Sequence, residues 1–162
     1  MVKFKYIFLL LTVLACFTAC KKSAIEEDSY DPLPQYKADT TAIRAFIKAN
    51  NITATKDDYG VFYQIIAPGT GSINYTSSTV IKANYEGRLL NGTVFGNTNG
   101  TPISFTLGGV IAGWQIGIPK IQNGGSIRLI IPSYYAYGTA SPSATIPANS
   151  ILDFTITLTD VQ

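Results

Sequence analysis

The sequence predicts an α+β domain: an antiparallel sheet with one short helix lying across its face, preceded by a separate helix. Three patterns carry this expectation. Leu152, Phe154, Ile156 and Leu158 alternate with Asp153, Thr155, Thr157 and Thr159, the period-two signature of a half-buried antiparallel strand. Val110, Ile111, Trp114 and Ile118 follow a helical spacing directly after Gly108-Gly109, and Ile43, Phe46 and Ile47 stand at i, i+3 and i+4, one apolar face of a short amphipathic helix.

Taken from the start, the chain opens MVKFKYIFLLLTVLACFTACKKS. Lys3 and Lys5 ahead of an apolar run read as a secretory signal, too short and wrongly flanked for a membrane span. Thr18-Ala19-Cys20 followed by Lys21-Lys22 is similar to the lipobox of bacterial lipoproteins, with Val13-Leu14-Ala15-Cys16 as a weaker second candidate. Residues 1–19 are therefore expected to leave as a lipoprotein signal peptide, with Cys20 carrying the lipid. The two cysteines of the chain both fall in this segment, so the mature protein has no pair from which to form a disulfide framework. The destination implied is a bacterial cell envelope, lipid-anchored, at the outer membrane and facing the periplasm or the surface.

Composition narrows the chemistry. Taking Lys3 and Lys5 from the 12 basic residues leaves as many as the 10 acidic ones, so the mature body is neutral and has no basic stripe for nucleic acid. Charged residues make up only 14% of the chain against the usual quarter, which leaves solubility to Ser, Thr, Asn, Gly and Tyr. Histidine is absent. That removes the commonest general base, the Ser-His and Cys-His pairs and most zinc sites. A length of 162 residues fits one ordinary domain plus an appendage.

Residues 20–37 mix acids with Pro32 and Pro34 without any period and read as a tether. Residues 38–56 form the N-terminal helical segment, with Asp39 or Thr40 as N-cap and Asn50-Asn51 as the stop. Its apolar stripe needs a partner: the domain behind it, a second copy, or a client. From 57 to 162 the pattern is that of strands. Residues 61–67 end at Pro68-Gly69-Thr70-Gly71, and residues 79–90 put Ile81, Ala83 and Tyr85 on one face. Asn91-Gly92 suits the two positive φ angles of a type I′ hairpin turn. Ile127, Leu129 and Ile131 share a face opposite Arg128. No repeat of 20–50 residues is visible.

The residues that stand out as a set are rings, Tyr85, Phe95, Phe105, Trp114, Tyr135, Tyr137 and Phe154, with Val110, Ile111 and Ile146 as aliphatic neighbours. By composition they are simply the core of a small domain. Four blocks say more. IKANYEGRLLNGTVF, VIAGWQIGI, IPSYYAYG and IPANSILDFTITL occur in the order and at about the spacing of FKBP-type peptidyl-prolyl isomerases, which residues 57–162 resemble. The resemblance implies an FKBP-like curled sheet of about five strands wrapped around one short helix, with an apolar pocket between them and no cofactor. It implies catalytic roles for Tyr137, Trp114, Tyr85 and Phe95. Trp114 would form the pocket floor, and the Tyr137 hydroxyl would donate to a substrate carbonyl. Phe105, Val110, Ile111, Ile146 and Phe154 would bind substrate, the Ile111 N–H holding a second carbonyl.

The match has departures: the loop 95–102 is shorter than in familiar members of the family, the loop 139–145 is rich in small residues, and two single positions differ. Gly96 stands where the family usually has Asp, and Ile103 where many members have Phe. The implied activity is cis-trans isomerisation of X-Pro bonds, and the implied partners are proline-containing unfolded or exported proteins. Two other readings compete with it. One is an FKBP-like chaperone or peptide-binding module with little turnover; the other is a glycan-binding lipoprotein stacking sugars on Tyr134, Tyr135 and Tyr137.

Overall fold

The structure, a computed structural model, describes residues 32–162. The signal peptide, Cys20 and most of the tether assigned above lie outside the described residues.

The first helix, α1 (Pro32–Ala49), begins inside the expected tether. Pro32 and Pro34, read as tether residues, both fall in its first turn, where the backbone amides have no intrahelical acceptor and a missing N–H removes no bond. Asp39 and Thr40 are therefore interior residues and not N-caps. The stop is where the sequence puts it. Asn51 adopts φ 52°, and the Ile52 N–H reaches back to the Ile47 carbonyl at 3.0 Å, closing the last turn.

The expected helical segment 38–56 ends instead in a strand, β1 (Thr55–Lys56). There follow β2 (Phe62–Ala67), β3 (Val80–Leu89), β4 (Val94–Asn97), β5 (Ile103–Thr106), the short helix α2 (Ala112–Gly117), β6 (Ser126–Ile131) and β7 (Leu152–Val161). The sheet runs β1-β2-β6-β7-β3-β4, with β5 also pairing β3; every pairing is antiparallel. The expected count of about five becomes seven because the two-residue β1 adds an edge strand and the strand opposite β3 is interrupted. β5 pairs the first half of β3 (Ala83↔Ile103) and β4 the second half (Glu86↔Asn97). Between them the chain bulges out through Asn99 and Gly100, both at positive φ. Tyr85 lies opposite this break, its N–H donating to Thr98 Oγ1 at 3.1 Å and its carbonyl accepting from the Thr98 N–H at 3.0 Å.

The hairpin after β3 is not type I′. Only Gly92 has positive φ, 89°, and its N–H donates to the Leu89 carbonyl at 2.9 Å. A right-handed turn over Leu90-Asn91 is thus followed by a left-handed Gly, the three-residue solution to the same reversal.

Alternation in β6 and β7 sends Ile127, Leu129, Ile131, Leu152, Phe154, Ile156 and Leu158 inward, where all are buried with Ile81 and Ala83. Helix α2 lies against β6 because it presents glycine there. A Cβ on Gly113 would stand 2.4 Å from the Ile131 side chain, and one on Gly117 2.4 Å from Leu129. Either methyl would push the helix off the sheet, an overpacking that costs about 1–3 kcal/mol.

The outer face of β2 and β6 is also covered. Ile43 of α1 packs with Phe62 and Ile130 in a second core, flanked by Phe46 and Ile47. The apolar stripe of the helix thus finds its partner in the domain behind it. This coverage explains why Asp153, on the polar side of β7 by pattern, is only 1% exposed. Arg128 holds it with two bonds, Nε to Oδ1 at 2.9 Å and Nη2 to Oδ2 at 2.7 Å.

Candidate functional site

One cavity of about 470 Å³ opens between the inner face of the sheet and α2, within the range of about 300–1,000 Å³ usual for small-ligand sites. Every residue assigned a pocket role above lines it. Tyr85 comes from β3, Phe95 from β4, Phe105 from β5, Trp114 from α2 and Phe154 from β7, while Val110, Ile111, Tyr137 and Ile146 come from connecting segments.

The aromatic rings brace one another edge to face. Trp114 lies 5.5 Å from Tyr85, 5.4 Å from Phe105 and 5.3 Å from Phe154, centroid to centroid, at 70–86°. Phe95 meets Phe154 at 5.4 Å and 81°. Each such pair is worth about 0.5–1.5 kcal/mol beyond the area it buries, so the walls are preset. β3 contributes by having no side chain at Gly87, where a Cβ would stand 2.6 Å from the Phe95 ring and 2.7 Å from that of Phe154.

Trp114 is 4% exposed and its indole N–H is buried without a hydrogen-bond partner among the described residues. An orphan donor of this kind costs about 1–3 kcal/mol. What the position gains from tryptophan is its ring area.

Among the described residues, no charged side chain lines the cavity. Its polar groups are hydroxyls and backbone. The Ile111 N–H makes no hydrogen bond among the described residues, while the neighbouring Val110 N–H donates to the Leu107 carbonyl at 3.4 Å. Gln115 Nε2 donates to the Val110 carbonyl at 2.7 Å, and the Ile111 carbonyl accepts from the Trp114 and Gln115 amides. The turn into α2 is thereby fixed with one backbone donor left over. Tyr137 is 39% exposed, and among the described residues its hydroxyl has no partner. It follows a 3-10 turn at Ser133–Tyr135 and precedes Gly138 at φ 56°, a value glycine adopts without strain. This segment is not a strand, and Tyr137 lines the cavity whereas Tyr134 and Tyr135 line a separate hollow with Tyr36 and Tyr59. Tyr134 and Tyr135 stand edge to face at 4.9 Å and 85°, so the two rings do not form one continuous plane.

Gly96 lines the cavity too, and a Cβ built there would lie 3.2 Å from both Cε2 and Oη of Tyr85. An aspartate side chain at this position would start beside the Tyr85 hydroxyl. Sequence reasoning passed over Gly109, Pro142 and Ser143, which complete the lining. Pro142 and Ser143 sit on a tight loop closed by Ser141 Oγ to the Ile146 carbonyl at 2.8 Å and by the Ile146 N–H to the Ser143 carbonyl at 3.1 Å. The one local signal was the Ser-Pro-Ser between Tyr137 and Ile146.

Fold and cavity together define a curled sheet closed on a short helix, with a neutral aromatic pocket at the junction. The family model for FKBP-type peptidyl-prolyl cis-trans isomerases matches residues 71–159. The FKBP-type peptidyl-prolyl cis-trans isomerase FkpA of Escherichia coli strain K12 is 45% identical over 105 residues, which are 64% of this chain and 38% of the relative; the chain thus spans less than half of that protein's length. The crystal structure of FkpA from Escherichia coli superposes with a TM-score of 0.64 at 35% identity, covering 80% of this chain and 64% of that one. A peptidyl-prolyl cis-trans isomerase from Pseudomonas syringae pv. tomato gives 0.66 at 27% identity, covering 82% and 97%. The chain belongs to the FKBP-type peptidyl-prolyl cis-trans isomerase family.

Proposed function

We propose that the protein accelerates cis-trans rotation about X-Pro bonds in other proteins, binding the proline ring over Trp114 without covalent catalysis. The single observation that carries this reading is the uncharged cavity, ringed by Tyr85, Phe95, Trp114 and Phe154 and supplied with free neutral donors at Ile111 and Tyr137. Amide rotation must overcome about 18–20 kcal/mol of lost resonance. In X-Pro the two isomers differ by only about 0.5–1 kcal/mol, so what a catalyst has to change is the rate. The planar amide is the more charge-separated form, and a pocket that replaces water by rings favours the twisted one, since only differential binding lowers a barrier. The Ile111 N–H and the Tyr137 hydroxyl would hold the flanking carbonyls so that rotation proceeds about a fixed axis. A neutral hydrogen bond of this kind contributes about 1 kcal/mol. No step needs a nucleophile, a titrating base or a cofactor.

The test is a protease-free assay of an X-Pro peptide with the full-length chain and with Gly96→Asp. Both forms are expected to accelerate isomerisation, the variant by about fivefold more, the equivalent of one added hydrogen bond near Tyr85. The Gly96→Asp ring contact of 3.2 Å requires Tyr85 to yield by a few tenths of an ångström. No acceleration by either form would sink the enzyme reading. Gly96 itself favours the second reading, a chaperone or peptide-binding module with little turnover, which suppression of client aggregation without catalysis would identify.

The clients would be proline-containing unfolded or exported proteins, met at a bacterial envelope to which Cys20 tethers the protein by lipid. The support for this is Lys3 and Lys5, the apolar run and Thr18-Ala19-Cys20. Labelled fatty acid is expected in the wild-type protein and not in Cys20→Ser; equal labelling of both would move the anchor elsewhere.

A further inference from the structure

We propose that Asp39 of the N-terminal helix is a positioning residue for Tyr137, which makes α1 a working part of the isomerase and not a spacer. This rests on the reading above, in which the Tyr137 hydroxyl meets a substrate carbonyl. Asp39 is 2% exposed, and no cation pairs with it among the described residues. A carboxylate in such a place is tolerated only if hydrogen bonds replace its water. Oδ1 accepts from Gln35 Nε2 at 2.7 Å, and Oδ2 accepts from the Ser133 N–H at 2.8 Å and from Ser133 Oγ at 2.6 Å.

Ser133 passes this fixation on. Its carbonyl accepts from the Ala136 N–H at 3.0 Å and from the Gly138 N–H at 2.8 Å, the two residues that flank Tyr137. The Gly138 carbonyl in turn accepts from the Asn149 N–H at 2.7 Å. Every polar group of Ser133 is thus committed, on one side to the helix and on the other to the backbone on both sides of the tyrosine. The ring of Tyr36, one turn before Thr40, adds a contact at 6.3 Å to Tyr135. The segment that presents the Tyr137 hydroxyl is held from behind by a charge on a different element.

The experiment compares full-length wild type, Asp39→Ala, Asp39→Asn, Ser133→Ala, Tyr137→Phe and the Asp39→Ala/Tyr137→Phe double variant, by X-Pro kinetics and amide hydrogen exchange. In Asp39→Ala, exchange at Ala136 and Gly138 is expected to rise about tenfold while β3 and β7 keep their protection, the mark of a local opening. Its kcat should fall about fivefold, no further than in Tyr137→Phe, with KM within about twofold. The double variant should be no slower than Tyr137→Phe, because the two changes act through one group. Asp39→Asn should recover most of the rate, its amide oxygen serving Ser133 and its NH2 a reversed Gln35. Ser133→Ala, which leaves the fold's core untouched, should show the same exchange pattern in weaker form even where Asp39→Ala folds poorly. Unchanged exchange at 136 and 138 in these variants would overturn the proposal, as would an equal rise in all strands or losses that multiply in the double variant. A Tyr137→Phe rate equal to wild type would instead overturn the role given to the tyrosine itself.

Discussion

Replacing Trp114 by alanine in the full-length chain is expected to abolish measurable X-Pro peptide binding and to lower stability by about 3–5 kcal/mol. Both losses come from one position because the residue is at once the end of the core and the base of the cavity. It is nearly buried, and the rings of Tyr85, Phe105 and Phe154 all lean on it within 5.5 Å. Removing it leaves those rings without their common partner and opens a void between α2 and the sheet. A milder variant separates the two effects. Trp114→Leu keeps an apolar side chain on α2 and is expected to unfold cooperatively in urea, yet to bind peptide at least tenfold more weakly for want of ring area. Calorimetric titration reads the binding, and the urea midpoint reads the stability. Wild-type affinity in Trp114→Ala would place the proline elsewhere.

The second large effect is expected on the far face of the sheet. Arg128→Ala should destabilise the protein by about 3–5 kcal/mol, the range for stripping the partner from a buried ion pair. An exposed pair would give only about 0–1 kcal/mol. The distinction turns on Asp153, whose side chain is 1% exposed while that of Arg128 is 24% exposed. Removing the arginine strands a carboxylate that water cannot reach. The bond to Asp153 also raises the Arg128 pKa above its ordinary value; a raised pKa on a cation means that its contribution is fully present below that value, hence at every physiological pH. Replacing both partners, Arg128→Met with Asp153→Leu, should return the urea midpoint to near wild type, since an apolar pair of similar volume needs no solvation. A loss in Arg128→Ala of under about 1 kcal/mol would show that water does reach Asp153.

Strands with one wet face are legible from period alone: 152–158 alternates as expected on its inner side, and a short helix does surround Trp114, although Val110 and Ile111, counted into its spacing, are extended residues before it and Ile118 follows its end. The pocket could be read only as four separated blocks, because its residues come from five different elements and no local pattern links Tyr85 to Phe154. What failed depended on coverage by distant parts of the chain. Ile130 and Asp153 sit at outward positions, and both are buried because α1 and Arg128 cover that face. Asp39 has the look of an N-cap, the commonest use of an aspartate near a helix start, but its Oδ2 accepts from Ser133, 94 residues away. Pro32 and Pro34 argued for a tether through a rule that does not apply in a first helical turn.

The order of the strands has a consequence for biogenesis. β7, last of the sheet in the chain, lies between β6 and β3 and pairs with nearly the whole length of β3, from Leu89↔Leu152 to Ile81↔Val161. Until residues 152–161 have left the ribosome, β3 and β6 have no strand to join them, and the pocket lacks Phe154. An N-terminal part of the chain thus cannot fold step by step as it emerges; closure waits on contacts of long sequence separation, which form slowly. During that interval the edges of β3 and β6 that β7 will fill stay unpaired and open to wrong partners.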